Sequence, residues 1–186
     1  VDAGDEFVER DLRVGQEIDG FVDEASEDFV SFHRTLDEAG VAARVRHVRA
    51  PSADAHAEVD GPIDLLYVDG AHRCAPARAD IRDWGRRVVP GGTLLIHDSF
   101  ASVGVTLAIT RELFGSSRYR YVGRSRSLAE YRADLGPGWA CRARNALRQL
   151  AELPWFVRNV GIKVMIVLRL SRVLRAVTGR TPEWPY

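Results

Sequence analysis

Two apolar runs, each closed by an acid, constrain this chain more than anything else in it. Ile63-Asp64-Leu65-Leu66-Tyr67-Val68 runs into Asp69-Gly70-Ala71-His72, and Thr93-Leu94-Leu95-Ile96 runs into His97-Asp98-Ser99. Short, nearly continuous apolar runs read as strands buried on both faces of a parallel sheet. Between them Pro76 suits the first turn of a helix, Ala77, Ile81, Trp84 and Val88 recur at helical spacing, and Pro90-Gly91-Gly92 closes the pattern. Strand, helix and strand with short joints make a βαβ unit, whose crossover is right-handed. The fold class is therefore α/β.

The flanking segments extend that plan. Ser26 is suited to an N-cap, Phe29, Phe32, Leu36 and Ala39 repeat at helical spacing, and Gly40 supplies a stop. Residues 45–49 alternate apolar and polar as a short strand ended by Pro51 and Ser52. Residues 1–5 read as the end of a strand running into a loop. Residues 103–114 read as a helix, and 119–123 and 127–131 as two closing strands. Beyond Gly136-Pro137-Gly138 the chain turns into Arg-rich helix, interrupted by Pro154 and continuing to about residue 177. The 186 residues suit one domain with an appendage, divided as a body of 1–135 and a helical tail of 136–186.

Charge sets the tail apart. The formal net charge is +0, yet residues 1–140 carry 17 Lys/Arg against 24 Asp/Glu, whereas residues 141–186 carry 9 against 2. A basic tail on an acidic body calls for an anionic surface, either the body itself, a membrane or a nucleic acid. Residues 153–177 are apolar enough to lie on a membrane with Trp155 and Phe156 as anchors, but Lys163 and Arg169 oppose spanning. Packing on the domain or on a twin subunit, as a homodimer, is the favoured alternative. The tail alternates basic with aliphatic residues and carries no nucleic-acid-binding signature, so nucleic acid is not an expected partner. Cys74 and Cys141 are the two cysteines, far apart and outside any CxxC pair, which fits a reducing cytoplasm.

Ligands of open parallel sheets bind beyond the carboxyl ends of the strands. Here those ends are Asp69-Gly70-Ala71-His72 and His97-Asp98-Ser99. Neighbouring strands lie about 4.8 Å apart, so Asp69 and Asp98 can converge on one cation or one hydroxyl. With Asp80, Trp84 and Pro90-Gly91-Gly92 between them, these residues resemble the class I methyltransferases of methyltransferase family 24, over roughly residues 1–132. The resemblance implies a Rossmann-like, seven-stranded sheet that binds S-adenosylmethionine. It implies that Asp2 holds the ribose hydroxyls, that Ser52 and Ala53 border the adenine, and that Asp69 lines the cofactor site. The first strand and its glycine-rich loop are not found in the sequence, so the chain reads as the carboxyl-terminal two-thirds of such a domain, truncated at its start and carrying a C-terminal helical extension.

Some relatives of this kind imply a divalent metal, with Asp69, Asp98 and His97 as the matching ligands for Mg²⁺. His72 is the candidate base, because imidazole exchanges protons near neutral pH. Asp69, His72 and Asp98 form the expected catalytic set, acting on a hydroxyl of a small molecule such as a sugar or secondary metabolite. A capping role for His72 and a turn role for Asp98 are the structural alternatives. His33, His47 and His56 read as structural. Two further readings remain open: a hydroxylase-type relative on the same fold, and a non-catalytic remnant serving as a membrane-surface or dimerising module.

Overall fold

The computed structural model describes residues 29–169 and Arg175. It divides into two compact units, Val1–Arg49 and Ala50–Tyr186. Within the first, helix α1 covers residues 29–38 and ends in a turn where Gly40 takes φ 66°, the left-handed conformation that glycine adopts at least cost. His33 Nε2 lies 3.1 Å from His47 Nδ1, and both imidazoles pack against Phe29 and Phe32. The expected strand at 45–49 does not form: no strand among the described residues pairs with it, and alternation without a ladder partner leaves an extended segment. Ser26 and residues 1–5 lie outside the described residues.

The second unit holds β1 (Ile63–Val68), α2 (Cys74–Asp83), β2 (Val88–Ile96), α3 (Val103–Glu112), β3 (Arg120–Ser125), β4 (Leu128–Arg132), α4 (Trp139–Leu150) and α5 (Leu153–Val167). The sheet order is β1-β2-β4-β3, with β1 parallel to β2 and the last two strands antiparallel. It is a Rossmann-like α/β sheet.

Register explains which face is covered. Leu66 pairs with Leu94 and Val68 with Ile96, which continue to Tyr131 and Ala129 on β4. Cross-strand partners share a face, and these residues form one core with Ala77 and Ile81 of α2 and Val105, Ala108 and Ile109 of α3. Each large buried side chain contributes roughly 1.5–3 kcal/mol. Leu65 and Tyr67 point the other way and are 57% and 47% exposed. Among the described residues strand β1 is thus covered on one side, where its apolar run suggests both.

The helix after β1 ends at Asp83, sooner than the Ala77-Ile81-Trp84-Val88 spacing implies. Val88 instead opens β2, five residues before the expected Thr93. Pro90-Gly91-Gly92 sits inside the strand as a bulge: pairing jumps from Ile63↔Val88 to Leu65↔Thr93, Gly91 takes φ 80°, and Gly91 N donates to Ala133 O at 3.0 Å. A Cβ on Gly92 would lie 2.9 Å from Asp64 O, so the strand pair closes only on glycine here.

The basic tail packs on this unit. Asn145 of α4 is buried, accepting from Tyr121 N at 2.7 Å and donating to Tyr119 O at 2.9 Å. Pro154 falls in the first turn of α5, where a missing N–H costs nothing, so it starts a second helix. At the corner, Glu152 accepts from Tyr121 Oη at 2.8 Å and from Arg124 Nε at 2.6 Å, while the Arg124 guanidinium lies 3.8 Å above the Trp155 ring. No helix among the described residues is long and apolar enough to cross a membrane.

Burial holds the phenols of Tyr119, Tyr121 and Tyr131 above their ordinary value. The Glu152 carboxylate adds to this at Tyr121, and Arg118 opposes it at Tyr119. An unfolded chain ionises its tyrosines near pH 10, while the folded one keeps these three neutral, so their stabilisation is complete below about pH 10 and lost as pH rises further. The expected result is a cooperative alkaline transition in circular dichroism, with tyrosinate absorbance from these rings rising together with unfolding. Ionisation well before unfolding would contradict it.

Candidate active site at the strand ends

Asp69 and Asp98 leave adjoining parallel strands: Val68 pairs with Ile96, and His97 N donates to Val68 O at 2.9 Å. The side chains meet. His72 Nε2 lies 2.9 Å from Asp98 Oδ2, and His97 Nδ1 lies 3.2 Å from Asp69 Oδ1 and 3.6 Å from Asp98 Oδ1. Tyr67 donates to Asp69 Oδ2 at 3.1 Å. Asp69, Gly70, Ala71, His72 and His97 line one small cleft. Desolvation, then the hydrogen bond and charge of Asp69 and the charge of Asp98, hold the Tyr67 phenol above its ordinary value, which registers a negative potential on this rim.

Asp98 sits in a left-handed turn, with φ 53°, and Phe100 follows at φ 56°. An Asp tolerates this region, but a bulky residue does so at a cost of roughly 1–3 kcal/mol. The surroundings hold it there. Phe100 is fully buried, Ser99 Oγ donates to Ile96 O at 2.8 Å, and Ala101 N and Ser102 N donate to Asp98 O at 3.2 and 3.0 Å. From α5, Asn159 Nδ2 donates to Phe100 O at 3.4 Å and, one turn on, Lys163 Nζ donates to Ala101 O at 3.1 Å. The tail therefore grips the loop that carries Asp98.

The His72 loop is fixed from the other side. Ser102 Oγ donates to His72 O at 3.3 Å, and Gly104, in the first turn of α3, brings its backbone against residues 72–74. A Cβ at Gly104 would run into His72 O and lie 2.8 Å from Cys74 N. The sequence reading missed Gly104, Ser102, Asn159 and Lys163. A glycine inside a helical pattern is a signal of close backbone approach, and Gly104 carried it.

Ser52 is placed on a different cluster, and Ala53 beside it is exposed. Ser52 Oγ donates to Asp80 Oδ1, Trp84 Nε1 donates to Ser52 O at 3.2 Å, and the Trp84 ring stacks on His56 at 3.9 Å. His56 is thus a packing residue. Gly70 connects the two clusters, since a Cβ there would lie 3.1 Å from Asp80 Oδ2. Asp2 lies outside the described residues.

The expected Mg²⁺ ligands come close without forming a metal site. His97 Nδ1 is buried beside the two carboxylates without a hydrogen bond to either, out of line with Asp69 and too far from Asp98. Among the described residues no group of three or more His, Cys, Asp or Glu is placed to hold a metal ion.

The Rossmann-like sheet, with its paired acids beyond the parallel strands β1 and β2, is compatible with the methyltransferases that the sequence resembles. The family model for the methyltransferase domain, methyltransferase family 24, matches residues 8–99, which end one residue past Asp98. Over that stretch the chain belongs to this family, whose members imply S-adenosylmethionine as methyl donor. The carboxylates fit such a donor, because its sulfonium and ammonium groups are cationic and the rim is anionic.

Proposed function

We propose that the protein transfers a methyl group from S-adenosylmethionine to a hydroxyl of a small molecule. The observation that carries this reading is the 2.9 Å contact between His72 and Asp98 at the rim of adjoining parallel strands. Bound S-adenosylmethionine supplies an electrophilic methyl group. Asp69 contributes negative charge toward the cationic donor, and Tyr67 holds that carboxylate in place. His72, 61% exposed, is reachable by an acceptor hydroxyl and takes its proton as the new O–C bond forms and the S–C bond breaks. Asp98, only 14% exposed, stabilises the imidazolium that results and aims the ring.

Ser52 supports the adenine side of this reading through its fixed place on Asp80 and Trp84. The free thiols of Cys74 and Cys141 suit a reducing, cytoplasmic setting. Peripheral membrane contact or a homodimer through residues 153–177 is a secondary element, supported by the exposed Val157 on α5.

Calorimetric titration of the full-length protein with S-adenosylmethionine tests the assignment. The expected result is saturable binding that Asp69→Ala weakens at least about tenfold, the loss of roughly 1.4 kcal/mol expected when a favourable charge is removed. Absence of binding by the folded protein would overturn the assignment, and equal affinity in the variant would remove Asp69 from the donor site.

A further inference from the structure

An open groove of about 420 Å³ lies between the 101–103 segment and α5. Its walls are Ala101, Val103, Val160, Val164, Val167 and Leu168, with Ser102 and Lys163 as the polar members. Both polar groups are turned to backbone: Ser102 Oγ to His72 O at 3.3 Å and Lys163 Nζ to Ala101 O at 3.1 Å. The surface offered to a ligand is therefore hydrocarbon. The size falls within the roughly 300–1,000 Å³ of small-molecule sites.

The groove neighbours the strand-end site through Ser102, whose Oγ donates to the His72 backbone oxygen at 3.3 Å. Ser102 lines it and touches His72, and the loop that forms its floor begins at Asp98. The opposite wall is α5, which, like the 101–103 segment, lies beyond the residues matched by the family.

We propose that this groove binds the apolar body of the methyl acceptor, a hydroxylated alkyl or aryl compound whose hydroxyl reaches His72. The inference rests on the methyltransferase reading and sharpens it. A polyhydroxylated sugar would lose its water here against walls with few hydrogen-bonding groups to replace it, which opposes binding. An alkyl or aromatic body gains instead, by about fourfold in affinity per methylene buried.

The test uses a series of 4-alkylphenols as probes, titrated calorimetrically into the full-length protein, with S-adenosylmethionine titrated separately. The expected result is affinity that rises about fourfold per methylene until the groove is filled. Val164→Trp, which fills it, is expected to erase that rise while donor binding stays unchanged. Val157→Trp, at a position 66% exposed and outside the groove, is expected to keep it. Affinity independent of alkyl length, or a rise that survives Val164→Trp, overturns the proposal. So does a dimer that Val164→Trp dissociates, or flotation on phosphatidylglycerol vesicles that it abolishes, because the groove would then be an interface. Alkylphenol binding without donor binding overturns the methyltransferase reading and the acceptor role with it, whereas donor binding with a flat alkylphenol series overturns the groove alone.

Discussion

Replacing His72 with Gln is expected to lower kcat for methyl transfer by about 10²–10⁴-fold, the usual contribution of a positioned general base. The side chain is 61% exposed and its contact is with Asp98, so the fold does not depend on it and the melting temperature is expected to hold within about 2 °C. Donor affinity is also expected to hold. Asp98→Asn keeps shape but removes the negative charge 2.9 Å from the ring, so it is expected to reduce kcat. A structural role for His72, capping or packing the following helix, predicts another pattern: lower stability with kcat nearly intact. Steady-state kinetics beside thermal unfolding of both variants separates the two, and a kcat within threefold of wild type would remove His72 from the chemistry.

The second large effect is steric. Gly104→Val would place a branched side chain against the backbone of residues 72–74, where the obstructing atoms are His72 O, Cys74 N at 2.8 Å and Arg73 C at 3.0 Å from an added Cβ. Backbone cannot swing aside as a long side chain does, so either α3 lifts from α2 or the His72 loop moves. Overpacking of this kind costs about 3 kcal/mol or more, which for a chain of this length corresponds to a melting temperature lower by roughly 6–12 °C. Activity is expected to fall further than stability alone explains, since the displaced segment carries the proposed base. Thermal unfolding and methyl transfer measured below the melting point give both numbers, and a variant with wild-type stability would show that the close approach is not required.

Much of the βαβ unit was legible because its signals are local. The apolar runs at 63–68 and 93–96, the polar residues that end them, and the helical spacing around Ala77 and Ile81 each report on neighbours in sequence. What misled was long range. Pro90-Gly91-Gly92 reads as a helix breaker, and it is a strand bulge whose glycines answer to Asp64 and Ala133, 28 and 41 residues from Gly92 by the numbering. The alternation at 45–49 promised a strand, but a strand needs a partner, and alternation says nothing of whether one is there. The strand-end acids were found from position alone. Their supports on α3 and α5 were not, because hydrogen bonds such as Asn159 to Phe100 join residues 59 apart.

Asn159 and Lys163 sit beyond the segment that carries the family likeness, yet they brace the bend at Phe100 that turns Asp98 toward His72. Anyone trimming this protein to the segment that the family matches would cut away two struts of the arch. The C-terminal helices are better regarded as part of the machine than as cargo attached to it, and any chimera that exchanges them inherits the task of holding that bend in place.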